Sequence, residues 1–239
     1  MDRMPIERDE HFIVARDLGV NTARIKSFSH VDLDLASGRA HAVCAEHHGG
    51  KTELLLTLAG RMHRTEGTLT VAGIDATALS RLKRVRAIAG LAFFERVNEV
   101  EQNLRTSTVV SAELSLAGKP AGRAEANAFL GAWGLGELAD KTVSELAAYD
   151  YDLLGIALGM AGDPALLVVD DIETDLTEHQ SRKLAELLCD LAHDTGTTVV
   201  CGVTDYDLAS CFDDAVCITE DARAQRAAFE EKHAFKEAV

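Results

Sequence analysis

The sequence predicts an α/β layered fold with a helical block inserted into it. Three observations carry that expectation. Short apolar runs of strand character alternate with helical segments on both sides of the chain's middle. A long stretch from about Asn98 to Gly162 has a helical pattern only. The unbroken run Ala165-Leu166-Leu167-Val168-Val169 has the form of a parallel strand covered on both faces.

Taken in order, strands are expected at Phe12–Ala15, Val31–Leu35 and Ala40–Cys44, followed by a helix from Lys51 to about Ala59. Gly67 introduces a strand at Thr68–Val71, and Ala87–Phe93 reads as another. The helical block is broken at Gly118-Lys119-Pro120 and at Gly134–Gly136, where glycine and proline punctuate it. Behind Ala165–Val169 come a helix near Thr177–His193, a strand at Thr197–Cys201 and a last strand around Ala215–Ile218. The charged, Ala-rich tail from Glu220 reads as a surface helix. No internal repeat or low-complexity linker divides the chain. The expectation is one domain over residues 1–239, with a helical subdomain at 95–162.

Composition narrows the function. The chain has 239 residues, with 24 Lys+Arg against 39 Asp+Glu and a formal charge of −15. That balance argues against nucleic acid as a partner, because a polyanion binder needs a cationic footprint. It disfavours an anionic membrane surface on the same ground. At 47% hydrophobic and 26% charged residues the chain is globular rather than disordered. Five Cys, with no CxxC pair, fit a reducing cytoplasm. The charged Met1–Glu10 segment does not read as a secretory signal, and no run approaches the roughly 18 apolar residues of a membrane helix.

The most informative chemistry lies at Ala45-Glu46-His47-His48-Gly49-Gly50-Lys51-Thr52, between a strand and a helix. A phosphate loop needs that context. Helix N-terminal N–H groups and a Lys ammonium hold a polyphosphate there, while a Thr or Ser hydroxyl holds magnesium. Gly50, Lys51 and Thr52 match the end of the pattern, Gly49 stands beside them, and the first loop glycine is Ala45. Farther along, Ala165–Val169 ends in Asp170-Asp171, where a buried strand presents carboxylates to a metal and a water.

In order and register these segments resemble the ATP-binding cassette (ABC) family, the nucleotide-binding domains of ABC transporters, from about Phe12 to Ile218. Val143-Ser144-Glu145-Leu146 leads into Ala147-Ala148-Tyr149-Asp150 where that family keeps its LSGGQ signature. Asp163-Pro164 precedes the Walker B strand, and the 24 residues from Leu146 to Asp170 are the family's usual separation. Gly196-Thr197-Thr198-Val199-Val200 followed by Thr204-Asp205 resembles the approach to the switch His. The resemblance implies a P-loop NTPase core of the ABC ATPase type, with an N-terminal antiparallel β-subdomain and an inserted helical subdomain. It implies ATP and Mg as cofactors, with Gly49, Gly50, Lys51 and Thr52 on the nucleotide, Thr52 and Asp170 on the metal, and Asp171 as the catalytic carboxylate.

The same alignment of motifs shows departures. The three Walker A glycines become Ala45, His48 and Gly50, two of them gaining a Cβ where backbone approaches phosphate. The adenine-stacking aromatic falls near Asn21 or Thr22, the Q-loop Gln near Phe94 or Glu95 with Gln102 farther on, and the switch His is replaced by Thr204. In the signature the glycines become Ala148 and Tyr149, and the Gln becomes Asp150. A carboxylate about 4 Å from a phosphate charge is repelled by roughly 4 kcal/mol at an effective dielectric near 20. The Walker B Glu is Asp171, one methylene shorter, and Thr174-Asp175-Leu176-Thr177 keeps only the Leu of the D-loop.

These readings imply a catalytically impaired pseudo-ATPase that regulates or scaffolds a separate membrane protein. Two alternatives stand beside it. One is a working ABC ATPase coupled to a permease as a homo- or heterodimer, and the other is a soluble nucleotide-sensing P-loop protein. The first two place the chain in the cytoplasm, peripheral at the inner face of the plasma membrane through its partner. Phe93, Phe94, Val97 and Val100 read equally as that partner's contact or as core. His41, Cys44, His47 and His48 cluster without a structural zinc spacing. Trp133 reads as a packing residue.

Overall fold

The computed structural model describes residues 10–21, 26–45 and 49–218. Thr22, Glu46, His47, His48 and the tail from Glu220, all singled out above, lie outside the described residues.

Two sheets face each other across α1 (Lys51–Leu58). The first is antiparallel, in the order β2-β1-β4-β5, from β1 (Ile13–Asn21), β2 (Lys26–Leu35), β4 (Glu66–Val71) and β5 (Ile74–Asp75). The second is parallel, in the order β6-β7-β8-β3-β9, from β3 (Ala40–Cys44), β6 (Ala89–Leu91), β7 (Leu166–Asp170), β8 (Thr198–Val203) and β9 (Asp214–Cys217). Every residue of β3 and β8 is buried, as a parallel strand covered on both faces requires. One core joins α1, the antiparallel sheet and the near face of the parallel sheet through residues such as Ile13, Leu33, Leu54, Leu69 and Val168. On the far face, Cys44, Leu167, Val169 and Cys201 pack against α6 (Glu178–Thr195) and α7 (Tyr206–Ala209).

A third core lies within the helical block, where α3 (Thr106–Leu116), α4 (Arg123–Ala132) and α5 (Ala148–Gly159) bury Val110, Leu130 and Leu154. The breaks expected around Pro120 and Gly134 separate these helices. Trp133 ends α4 and its ring centroid lies 6.4 Å from that of Phe129. The end of α5 is joined to the sheet edge by backbone proximity. A Cβ on Gly90 of β6 would overlap the Gly159 carbonyl oxygen, and one on Gly159 would lie 2.8 Å from the Leu91 carbonyl oxygen.

The expected strand Ala87–Phe93 is shortened at both ends, and its first two residues belong to a helix. Leu82–Ile88 forms α2, burying Leu82 and Val85 three residues apart while Lys83, Arg84 and Arg86 face outward. That spacing is helical, so only Ala89–Leu91 remains strand. The first two strands run longer than Phe12–Ala15 and Val31–Leu35 because irregularities interrupt their alternation. Asp17 and His30 have φ of 50° and 58°, and the β1–β2 register shifts between Ala15 and Leu18.

The cap of α6 is the one written most plainly in the residues. Thr177 Oγ1 accepts from Gln180 N–H at 3.3 Å, and Gln180 Oε1 accepts from Thr177 N–H at 3.0 Å. Gly196 closes the other end at φ 75°. Thr177→Ala is expected to lower stability by about 1 kcal/mol. Urea denaturation with unchanged slope and a lower midpoint is the check.

Candidate functional site

Three adjacent strand ends build the site. β8 lies between β7 and β3, so the residues following each strand converge at the carboxyl edge of the parallel sheet. β3 leads into the loop that ends at Gly49 and Gly50. Gly50 caps α1 at φ 79°, and a Cβ there would overlap the Ser27 carbonyl oxygen and lie 2.9 Å from Phe28 Cβ. Only glycine combines that dihedral with that approach. The Gly50 carbonyl accepts from Leu54 N–H at 2.9 Å, which starts the helix.

Lys51 is buried, and its Nζ donates to Thr204 Oγ1 at 2.5 Å. Thr52 Oγ1 donates to Asp170 Oδ2 at 2.5 Å. Thus Gly50, Lys51, Thr52 and Asp170 meet at one place, and half-buried Gly49 precedes them. Burial pushes the Asp170 carboxyl up, against the opposing Thr52 hydroxyl and Lys51 ammonium, and leaves it above the usual carboxylate range. Among the described residues, no three or more His, Cys, Asp or Glu side chains form a metal-holding group. The Thr52–Asp170 pair is a two-oxygen donor set, the kind that suits magnesium, which takes few protein ligands and completes its shell with phosphates and water. His41 is buried, its Nε2 lying 2.9 Å from the Ala36 carbonyl oxygen.

Asp171 adjoins this group in a different condition. At φ 52°, its Oδ1 accepts from the N–H groups of Glu173 and Thr174 at 2.9 and 3.1 Å, and its Oδ2 accepts from Thr174 Oγ1 at 2.6 Å. Burial pushes its carboxyl up, but these bonds and the Lys51 charge outweigh burial and hold it below the ordinary value. Its acceptors serve its own loop.

Glu173, which matches no sequence motif, closes the site. Its Oε2 accepts from Thr204 N–H at 2.5 Å and its Oε1 from Asp205 N–H at 2.8 Å. The loop after β7 is thereby tied to the loop after β8, and through Thr204 to Lys51. No local pattern signals a contact across 31 residues. Asp171, Glu173, Thr174, Thr204 and Asp205 line an open cavity of about 280 Å³, and of these Thr204 accepts from Lys51 Nζ.

The other motif positions lie around this centre. Asn21 ends β1, its N–H donating to Thr65 Oγ1 at 2.7 Å. Phe94 is fully buried, Val97 is 49% exposed, and Phe93 lies on Tyr151 with ring centroids 4.5 Å apart. The four residues left open between core and contact are therefore divided, with Val97 the exposed member. Asn98 shapes that turn, accepting from Phe94 N–H and donating to the Ala92 carbonyl, each at 2.8 Å. Gln102 is exposed. In the first turn of α5, Tyr149 lies beneath Lys183 Nζ at 5.0 Å, a cation–π contact to α6, and Asp150 is half-exposed.

The sequence profile of the ABC transporter family matches residues 28–173. This chain belongs to the ABC transporter family. It is 28% identical to the methionine import ATP-binding protein MetN of Streptomyces avermitilis over 205 residues, 81% of this chain and 58% of that protein. The chain thus spans less than two thirds of the MetN length. It is 27% identical to the phosphate-import ATP-binding protein PhnC of Mycolicibacterium smegmatis, covering 86% of this chain and 82% of that one. Among solved structures, cbiO1 from Clostridium perfringens, part of the ABC transporter complex cbiONQ, superposes with a TM-score of 0.75 over 89% of this chain and 86% of its own at 17% identity. The cassette MJ0796 in a dimeric post-hydrolysis state bound to ADP and Pi gives a TM-score of 0.72 at 20% identity, over 87% of this chain and 94% of its own. The fold is that of an ABC ATPase, an α/β P-loop core with an antiparallel β-subdomain.

Proposed function

We propose that this chain is the ATP-binding subunit of an ABC importer, holding Mg-ATP and passing its binding energy to a separate membrane permease. The observation that carries this reading is the convergence of Lys51, Thr52 and Asp170 at the carboxyl ends of β3 and β7. Lys51 would take the phosphates, Gly49 and Gly50 would offer backbone N–H groups, and Thr52 with Asp170 would hold the magnesium. Bound ATP supplies the phosphoryl group and the charge that the site neutralises. Among the described residues no helix is long and apolar enough to cross a membrane. The named functions of MetN and PhnC support import. The dimer of MJ0796 supports a two-cassette assembly, composed of two copies or of this chain with another.

A second reading, an impaired cassette that regulates or scaffolds, is favoured by one observation. The acceptors of Asp171 are occupied by Glu173 and Thr174, which leaves it poorly placed to orient a water, and positioning supplies most phosphoryl-transfer catalysis.

A melting-temperature titration separates binding from its absence, because a ligand of the native state stabilises it by RT ln(1 + L/Kd), with L the free ligand concentration. Mg-ATP is expected to raise the melting temperature of the wild type and to leave Lys51→Ala unmoved. No rise in the wild type overturns the proposal. Phosphate release that Asp171→Asn abolishes supports the working ATPase, and binding without release supports the impaired one.

A further inference from the structure

Two cysteines stand opposite each other directly beneath the phosphate loop. β3 and β9 are parallel neighbours, and their register pairs Cys44 with Cys217. Both side chains lie on the far face of the sheet. Cys44 is fully buried in the core formed with α6 and α7, and half-buried Cys217 packs against the same core. Neighbouring strands run about 4.8 Å apart. A disulfide requires Cα atoms roughly 4.4–6.8 Å apart, so this pair is within bonding reach without moving either strand.

The proximity of the two thiols also divides their acidity. It is the main cause that pushes Cys44 well above the ordinary thiol value and brings Cys217 down to about 7. Near neutral pH the more exposed sulfur therefore carries nucleophilic character, with a protonated partner beside it. The other cysteines lack this arrangement. Cys201 is fully buried, and Cys189 Sγ meets the Cys211 carbonyl oxygen, at 3.5 Å, rather than a thiol.

We propose that Cys44 and Cys217 are a redox-modifiable dithiol, oxidised to a disulfide by hydroperoxides. The Cys217 sulfur attacks the outer peroxide oxygen, the O–O bond breaks, and the alcohol or water derived from the peroxide leaves with one proton. Cys217 is then a sulfenic acid. The Cys44 sulfur displaces its hydroxyl, which departs as water with the Cys44 proton, and the Sγ–Sγ bond forms. The two thiols lose two electrons and the peroxide gains them. The position has a consequence at the site. Cys44 Sγ donates to the Thr204 carbonyl at 3.7 Å, Thr204 holds Lys51, and Ala45 opens the phosphate loop one residue on. Oxidation removes that donor and ties the base of the loop to the sheet edge.

The test treats the folded full-length chain with one equivalent of hydrogen peroxide and maps its peptides by mass. The expected product has lost the mass of two hydrogens, contains a peptide joining Cys44 to Cys217, and reverts under dithiothreitol. Cys44→Ser is expected to stop at a Cys217 sulfenic acid that dimedone captures. Cys217→Ser is expected to resist the same dose. A joined peptide involving other cysteines, or intact thiols at Cys44 and Cys217 in the oxidised wild type, overturns the proposal. Because the decisive product is read in the wild type, it stands whether or not the serine variants fold. It also stands whether or not the chain binds nucleotide.

Discussion

Gly50→Ala is expected to cost about 3–5 kcal/mol of stability, a fall of roughly 10 °C in melting temperature for a domain of this size. Two penalties combine. A left-handed backbone costs an alanine about 1–2 kcal/mol relative to its usual conformations, and Gly50 sits at φ 79°. The second penalty is contact. The new Cβ would overlap the Ser27 carbonyl oxygen, a backbone atom of β2 that moves only with its strand. Gly73 separates the two penalties. It has φ 69° in the tight turn between β4 and β5, and a Cβ added there would meet nothing within 4 Å. Gly73→Ala should therefore cost only the conformational part, about 1–2 kcal/mol. Equal melting temperatures for the two variants would show that the approach of β2 to the phosphate loop is not a packed one.

Asp152→Asn is expected to stabilise the protein by about 2 kcal/mol at pH 8 and to change little below pH 4. Asp152 lies in α5, and burial, with the negative charges of Asp171 and Asp175 behind it, pushes its carboxyl up to about 7. The folded chain therefore keeps this proton up to about pH 7, whereas the unfolded chain loses it near 3.8. Between those values the native state binds more protons, so this group's contribution to stability falls as pH rises through the window and levels off above it. The full linkage would exceed about 4 kcal/mol, and partial exposure to solvent reduces it by about half. Asparagine keeps the shape without the charge. Thermal melts of both proteins from pH 4 to pH 8 should diverge steadily. Parallel curves would mean that Asp152 ionises as an ordinary surface carboxylate.

Much of this architecture was legible because its signals are local. β3, β7 and β8 announce themselves as unbroken apolar runs, and α6 carries its own capping residues, Thr177 and Gln180. Gly-Lys-Thr after a strand and Asp170 at the end of another pointed to residues that the fold places within hydrogen-bonding distance. What stayed hidden depends on tertiary contact. The bulges at Asp17 and His30 have no composition mark, and the short helix α2 runs directly into β6, so its end reads as the start of that strand. The Glu173 carboxylate finds its partners only when β7 and β8 lie side by side. Similarly, Asp152 looks like a solvated helix residue until the fold buries it near the charges of Asp171 and Asp175.

The glycine contacts between α5 and β6 bear on how forces cross the molecule. Packed helices slide by small rotamer changes in the side chains between them. Where Gly90 meets the Gly159 backbone, and Gly159 in turn meets Leu91, backbone packs directly on backbone, with the Leu167 and Pro164 side chains alongside. This junction behaves as a weld rather than a bearing. Displacement of the helical block must therefore be taken up elsewhere, and the end of α5 serves as its fixed pivot.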